Sequence, residues 1–348
     1  MKQIQELPIF PQDCKSLLSK HLNKVVFEKL KDKKTASGFT LEKAIASGVA
    51  NSDSGIGIYA GDMESYSAFS SLFDPIIKEY HGFAQEDLHK SNLNPDDLKA
   101  PNPDTQGNYI ISTRIRVGRN FANIPLGPAV TKEQRDEIEE KASEALNALD
   151  GKLKGTYYPI AGMSEEISQE LISDHFLFKA GDRFLQAAGL NGDWPSGRGI
   201  YHNDEKTFLV WVNEEDQLRI ISMQNGGDIK EVFTRLTTAI KFLEEKIEFS
   251  YNNHLGYITS CPTNLGTAMR ASVHIKLPNL SKDMKAFESI TDKYYLQIRG
   301  IHGEHSESEG GIYDISNKRR LGVTEVQCVQ DMYGGVVALI KAEKELEK

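Results

Sequence analysis

The hydrophobic period of this chain changes once, and the change bounds the folds open to it. Up to about residue 90 the apolar residues recur at helical spacing: Leu18, Leu22, Val25, Val26 and Leu30 share one stripe after Pro11. Thr40 is placed to cap a second helix through Ala44 and Ile45, ending near Gly48. A Gly- and Ser-rich stretch, ASGVANSDSGIGIYAGD, follows. FSSLFDPIIKEYHGF then returns to helix, with an interruption expected at Pro75. Residues 91–107 hold three prolines among Asn, Asp and Gly, the composition of a linker.

Beyond the linker, period-two segments take over. YIISTRIRV (109–117), TFLVWV (207–212), QLRIISM (217–223), YITSC (257–261), ASVHIKL (271–277) and YYLQIRG (294–300) read as strands. Long amphipathic helices separate them. One opens on a Thr131/Gln134 capping box, one on Asp228 with Glu231, and one on Thr324 with Gln327. The last contains Gly334 and Gly335, each costing about 1 kcal/mol in a helix interior, so a bend or a close approach is expected there. Asn213-Glu214-Glu215-Asp216 joins two strands as in an antiparallel hairpin. Strands and single helices do not alternate, which favours α+β with an antiparallel sheet over a doubly wound fold. The expected division is a helical domain over 1–90 with a loop at 52–62, a linker over 91–107, and a sheet-and-helix domain over 108–348. A length of 348 residues suits about two domains.

The net charge of −9 argues against nucleic acid and anionic membrane as partners, since both select a basic face. It does not exclude an anionic ligand, because a site is local. Cys14, Cys261 and Cys328 are too few for a disulfide framework. With no apolar leader and no apolar run near 18 residues, a reduced, cytoplasmic setting is expected. Asn279-Leu280-Ser281 fits a glycosylation pattern that this setting would leave unused.

Four constellations could carry chemistry. Ser112, Arg114 and Arg116 alternate along one strand and share a face, with Tyr109, Ile111, Thr113, Ile115 and Val117 on the other. Two guanidinium groups about 6.6 Å apart suit adjacent phosphates; a solvated strand face is the plainer reading. Arg219, Arg270 and Arg299 lie in or near other strands. Cys261-Pro262-Thr263-Asn264-Leu265-Gly266-Thr267 ends a strand before a turn, and nearby arginines would lower the thiol's pKa. The Gly- and Glu-rich run 300–311 has the composition of a hinged lid or of a plain loop. Ser54-Gly55-Ile56-Gly57-Ile58-Tyr59-Ala60-Gly61 matches a dinucleotide fingerprint only weakly, and its glycines suit backbone N–H contacts to a small anion such as a carboxylate. No P-loop, HExxH or paired CxxC is present.

At these residues the chain resembles the phosphagen (ATP:guanido) kinase family, and most closely its arginine-specific branch. The heptapeptide at 261–267, Ser112–Arg116, Asn213–Asp216, Arg270-Ala-Ser-Val-His274 and Gly303-Glu-His305 fit the family in order and spacing, and the similarity spans nearly the whole chain. The resemblance implies a small all-helical N-terminal domain and a larger domain on an eight-stranded antiparallel sheet flanked by helices, a glutamine-synthetase-like fold. It implies reversible transfer of the γ-phosphoryl group of MgATP to L-arginine for energy buffering, in a monomer, with Mg²⁺ held by phosphates and water and not by protein ligands. Arg114, Arg116, Arg219, Arg270 and Arg299 would grip phosphates, alongside Ser112. His175 and His274 would lie near adenine and ribose. Glu215, Glu304 and Cys261 would hold the guanidinium. Ser54, Gly55, Ile56, Gly57 and Tyr59 would hold the amino acid's head, and Asp53 and Arg183 would join the domains. Some members carry arginine where this chain has His302, so His302 is left out of the phosphate set. The competing readings are another guanidino kinase, a protein-arginine kinase and an inactive nucleotide-binding scaffold.

Overall fold

The computed structural model of the protein describes residues 5–300 and 310–347. Its first part is helical: α1 (Leu17–His21), α2 (Lys24–Leu30), α3 (Leu41–Ala50), α4 (Ser65–Ala68) and α5 (Ser70–His81). The single stripe read over 18–30 is two helices. The Asn23 side chain accepts the Val26 N–H at 3.0 Å and starts α2 afresh, which leaves Val25 78% exposed while Leu18, Leu22, Phe27 and Leu30 stay buried. The Thr40 hydroxyl caps α3 by accepting the Lys43 N–H. Pro75 lies inside α5 without ending it, and the helix stops at Gly82, whose φ of +67° closes the last turn.

The strands are β1 (Ile110–Arg119), β2 (Gly155–Pro159), β3 (Gly199–Asn203), β4 (Phe208–Val212), β5 (Leu218–Asn225), β6 (Tyr251–Asn252), β7 (Gly256–Tyr257), β8 (Met269–Lys276), β9 (Leu296–Arg299) and β10 (Ile312–Asn317). Among the described residues, eight of them form one sheet in the order β2-β3-β4-β5-β1-β8-β10-β9, every pair antiparallel, and β6 and β7 make a separate hairpin. The remaining helices are α6 (Lys132–Asn147), α7 (Glu165–Ser173), α8 (Arg183–Ala187), α9 (Ile229–Glu244), α10 (Met284–Lys293) and α11 (Glu325–Leu346). One sheet face buries Ile115, Val117, Val210, Ile220, Val273 and Ile315 against the apolar sides of α6, α9 and α11. Each such side chain contributes roughly 1.5–3 kcal/mol. At the β3–β5 end, the opposite face packs Ile200, Leu209 and Ile221 on Leu171 and Phe176.

Several expectations change. Of YITSC only Tyr257 lies in a strand, the two-residue β7; residues 258–261 leave as a loop, and the Ile258 carbonyl accepts from the Asn120 side chain at 2.9 Å. The register of β1 shifts between Ile110 and Ser112, so Ile110 faces the core and Ile111 stands 44% exposed, against the simple alternation. Strands β2, β3 and β10 lie outside the sequence expectation because each lacks regular apolar–polar alternation and is bounded by Gly, Pro or polar residues. The proline-rich segment is not a loose linker: Leu98 and Ala100 are buried, and the Glu325 carboxylate accepts the Ser91 hydroxyl and the Asn92 N–H. The Asn279 side chain donates to the buried Glu343, so that carboxamide is engaged within the fold.

Gly334 and Gly335 mark close packing. A Cβ on Gly335 would fall 2.2 Å from Cδ1 of Leu296, which is fully buried. Gly335→Ala therefore gains about 1 kcal/mol of helix propensity and loses about 1–3 kcal/mol to overpacking. The expected result is a lower urea midpoint at unchanged slope; a raised midpoint would contradict the contact.

Candidate active site

Strand register brings the arginines together. Arg116 lies opposite Arg270 on β8, Gly118 opposite Arg219 on β5, and Asp314 on β10 opposite both His274 and Arg299. With Arg114 between them, Arg116, Arg219 and Arg270 occupy the middle of the sheet face that α6, α9 and α11 leave uncovered, and Arg299 lies on the edge strand β9. Ser112 is the cross-strand neighbour of His274. Burial and the nearby Arg219 and Arg270 push Arg114 down to about 10, and the same causes hold Arg116 well below its ordinary value. The Nε atoms of Arg114 and Arg116 are buried without a partner among the described residues. A desolvated, under-neutralised cluster of this kind is matched by a polyanion.

Counter-charges sit at its edges. Arg270 bonds Asp314 at 3.0 Å, and His274 approaches the other carboxylate oxygen at 3.4 Å. Burial opposes ionisation of Asp314, but His274 and Arg270 hold it below the usual range. Arg219 forks between Glu214 at 2.6 Å and Glu215 at 2.8 Å, both presented by the turn between β4 and β5. That turn is tight because Asn213 adopts φ +57° and its N–H returns to the Gln217 carbonyl. Glu215 is pushed up to about 7 by burial, against the pull of Arg219.

Cys261 stands beside Glu215, not among the arginines. Burial and the Glu215 charge push its thiol up to about 12, although Thr263 Oγ1 bonds Sγ at 3.0 Å. This reverses the expected lowering: the charge that acts on the thiol is that of Glu215, and a cation lying between Glu215 and Cys261 would restore the thiolate.

The Gly-rich loop closes the other side. Tyr59, Ala188, Leu190 and Cys261 form one small apolar cluster, joined by Ile56. The Gly55, Ile56 and Gly57 carbonyls accept from Leu17, Leu18 and Gly48, while their own N–H groups donate to none of the described residues. A Cβ on Gly48 would lie 2.5 Å from the Gly57 carbonyl, so α3 and this loop touch backbone to backbone. Ser54 is buried beside them. Arg183, at the start of α8, pairs with Asp53 and bonds Asn51 at 2.9 Å, and the Ser47 hydroxyl reaches the Phe184 carbonyl at 2.8 Å. His175 stands exposed after α7 with φ +58°, and the structure brings it against neither His274 nor the arginines. Glu304 and His302 lie outside the described residues.

The comparisons with known proteins agree with this geometry. The family model for the ATP:guanido phosphotransferase N-terminal domain matches residues 12–78, and that for the C-terminal catalytic domain matches 137–346. The chain belongs to the ATP:guanido phosphotransferase family. It is 59% identical over 335 residues to "Arginine kinase Lit v 2" of Penaeus vannamei, covering 96% of this chain and 94% of that one. A crystal structure of lombricine kinase superposes with a TM-score of 0.91 at 41% identity, over 96% of this chain and 93% of that one. The substrate-free duplicated taurocyamine kinase of Schistosoma mansoni gives 0.93 at 43% identity, over 100% of this chain and 50% of that one.

Within this phosphotransferase, sequence reasoning missed Arg320, Glu214 and Trp211. Arg320 faces Arg116 and bonds the Thr263 carbonyl at 3.1 Å and the Asn264 side chain, yet in the run Lys318-Arg319-Arg320 it looks like a solvated base. The guanidinium carbons of Arg114 and Arg219 lie 5.8 and 5.7 Å from the Trp211 ring, a contact only the β4–β5 register creates. A cavity of about 520 Å³ between Phe121 and Lys246 is lined by none of these groups.

Because folding raises the Glu215 pKa to about 7, the folded state holds a proton that the unfolded chain loses at lower pH. That contribution is full at acid pH and disappears as pH rises through about 7. The protein's melting temperature is expected to fall between about pH 4.5 and 7 and to level off above, and to fall less in Glu215→Gln; equal slopes would remove the assignment.

Proposed function

We propose that the protein is an arginine kinase, transferring the γ-phosphoryl group of MgATP reversibly to the guanidino group of L-arginine. The observation that carries this reading is the loop 54–61 set against Cys261 and the Glu215 turn, with the arginine basin on the sheet face beside them. The three N–H groups left over in that loop suit the α-carboxylate of a free amino acid. Identities of 56–59% to several arginine kinases, against 41–43% to the lombricine and taurocyamine kinases, favour arginine within the family.

The chemistry follows from position and charge, because phosphoryl transfer asks little covalent work of a protein. In this reading Arg114, Arg116, Arg219, Arg270 and Arg299 hold the phosphates and spread the charge of the moving group. Glu215, with Glu304 from outside the described residues, grips the planar guanidinium and aims one nitrogen in line. A carboxylate with a pKa near 7 can also take the proton released on transfer. Cys261 supplies a second negative contact once the cation is bound. Ser112, His175 and His274 are assigned to the nucleotide side, and Ser54, Gly55, Ile56, Gly57 and Tyr59 to the amino acid side. The Asp53–Arg183 pair ties the two sides together. Mg²⁺ is assigned to the nucleotide phosphates and water; no group of three His, Cys, Asp or Glu among the described residues could hold it. The reading includes a cytoplasmic, monomeric enzyme; no helix among the described residues is long and apolar enough to cross a membrane.

A coupled assay of ADP formation with MgATP across arginine, taurocyamine, lombricine and creatine tests the substrate. Arginine should turn over fastest, and preference for another compound would move the protein to a sister activity. Glu215→Gln should lower kcat by about 100-fold or more with ATP affinity nearly intact, and Cys261→Ala by about 10-fold, both read by steady-state kinetics beside ATP titration.

A further inference from the structure

The loop carrying Cys261 leaves the β6–β7 hairpin at Ile258, and its next carbonyls are claimed by the helical first part of the chain. The Tyr66 hydroxyl donates to the Thr259 carbonyl at 2.7 Å, the Ala60 N–H to the Ser260 carbonyl at 2.8 Å, and His81 Nε2 to the Pro262 carbonyl at 2.8 Å. A carbonyl only accepts, so the His81 proton resides on Nε2. The opposite edge of the loop belongs to the sheet side: Asn120 donates to the Ile258 carbonyl and to Asp216, each at 2.9 Å, and Arg320 holds the Thr263 carbonyl. Cys261 thus sits on a junction clamped from both sides, and His81 is the clamp on the residue that follows it.

We propose that His81 is a positioning residue for Cys261, holding the Pro262 carbonyl so that the thiol faces Glu215 and moves with the helical part that also carries the loop 54–61. Burial keeps the ring neutral down to about pH 4, so the donated hydrogen bond is constant over the working range of an enzyme. Nothing in the chemistry of transfer requires a histidine there; the need is geometric. A displacement of about 1 Å at a reacting group can cost up to a hundredfold in rate. The proposal rests on the arginine kinase reading for its kinetic consequence, but not for its structural one.

The test compares His81→Gln, which keeps a donor near the Nε2 position, with His81→Leu, which removes it, and His81→Asn, which sets the donor too short. Turnover, KM for both substrates, melting temperature and the pH profile of Cys261 alkylation by iodoacetamide, located by peptide mass, are measured on each full chain. His81→Leu should lose at least about tenfold in kcat with ATP affinity within about twofold, and shift the alkylation profile; His81→Gln should stay within about threefold of the parent. If His81→Leu does not fold, His81→Asn should show the loss that His81→Gln avoids. Equal loss in all variants in step with melting temperature would make the residue mere packing, and an unmoved alkylation profile would overturn the proposal. Absence of arginine turnover in the parent would sink the functional reading, while alkylation would still decide the clamp.

Discussion

Mutual repulsion among desolvated arginines is the constraint around which this protein is built. Arg114, Arg116, Arg219 and Arg270 share the middle of one sheet face, and burial makes each charge costlier. The fold offsets this from the edges with Glu214, Glu215 and Asp314, not from within. The remaining deficit is what a polyphosphate would satisfy. A sheet suits such a task because cross-strand neighbours lie about 5 Å apart in fixed register, whereas surface arginines on loops would swing apart.

The same sheet needs a second, cationic partner site within reach, and it is assembled from pieces that belong to different parts of the chain. Glu215 comes from the β4–β5 turn, Cys261 from a loop shared between both parts, and Tyr59 from the helical part. Opposite charges are thereby segregated across the Arg219 fork. One side attracts anions and the other attracts cations, and the two meet where a phosphoryl group would pass.

Much of this was legible in the residues themselves. The switch of period at 91–107, the capping residues Thr40, Thr131, Asp228 and Thr324, and the alternation of Ser112, Arg114 and Arg116 each state local structure through local chemistry. The misreadings share a cause. Asn23 restarts a helix within one apolar stripe, the β1 bulge turns Ile111 outward, and the environment of Cys261 depends on Glu215, 46 positions away in sequence. The strands β2, β3 and β10, with the sequences GTYYP, GIYHN and IYDISN, lack the regular apolar–polar alternation that marks a strand.

By itself, then, the sequence determined the capped helices, the strands with clear alternation, and that Ser112, Arg114 and Arg116 share a strand face, because those follow from neighbours a few bonds away. It also named the chemistry, since arginines, carboxylates and a thiol in family spacing leave few readings. Only the tertiary structure decided that the arginines converge, that Arg320 joins them, and that the Cys261 thiol is held up to about 12 and not lowered. Those outcomes are set by cross-strand register and burial, which bring together groups far apart in the chain and remove the water that would otherwise screen them.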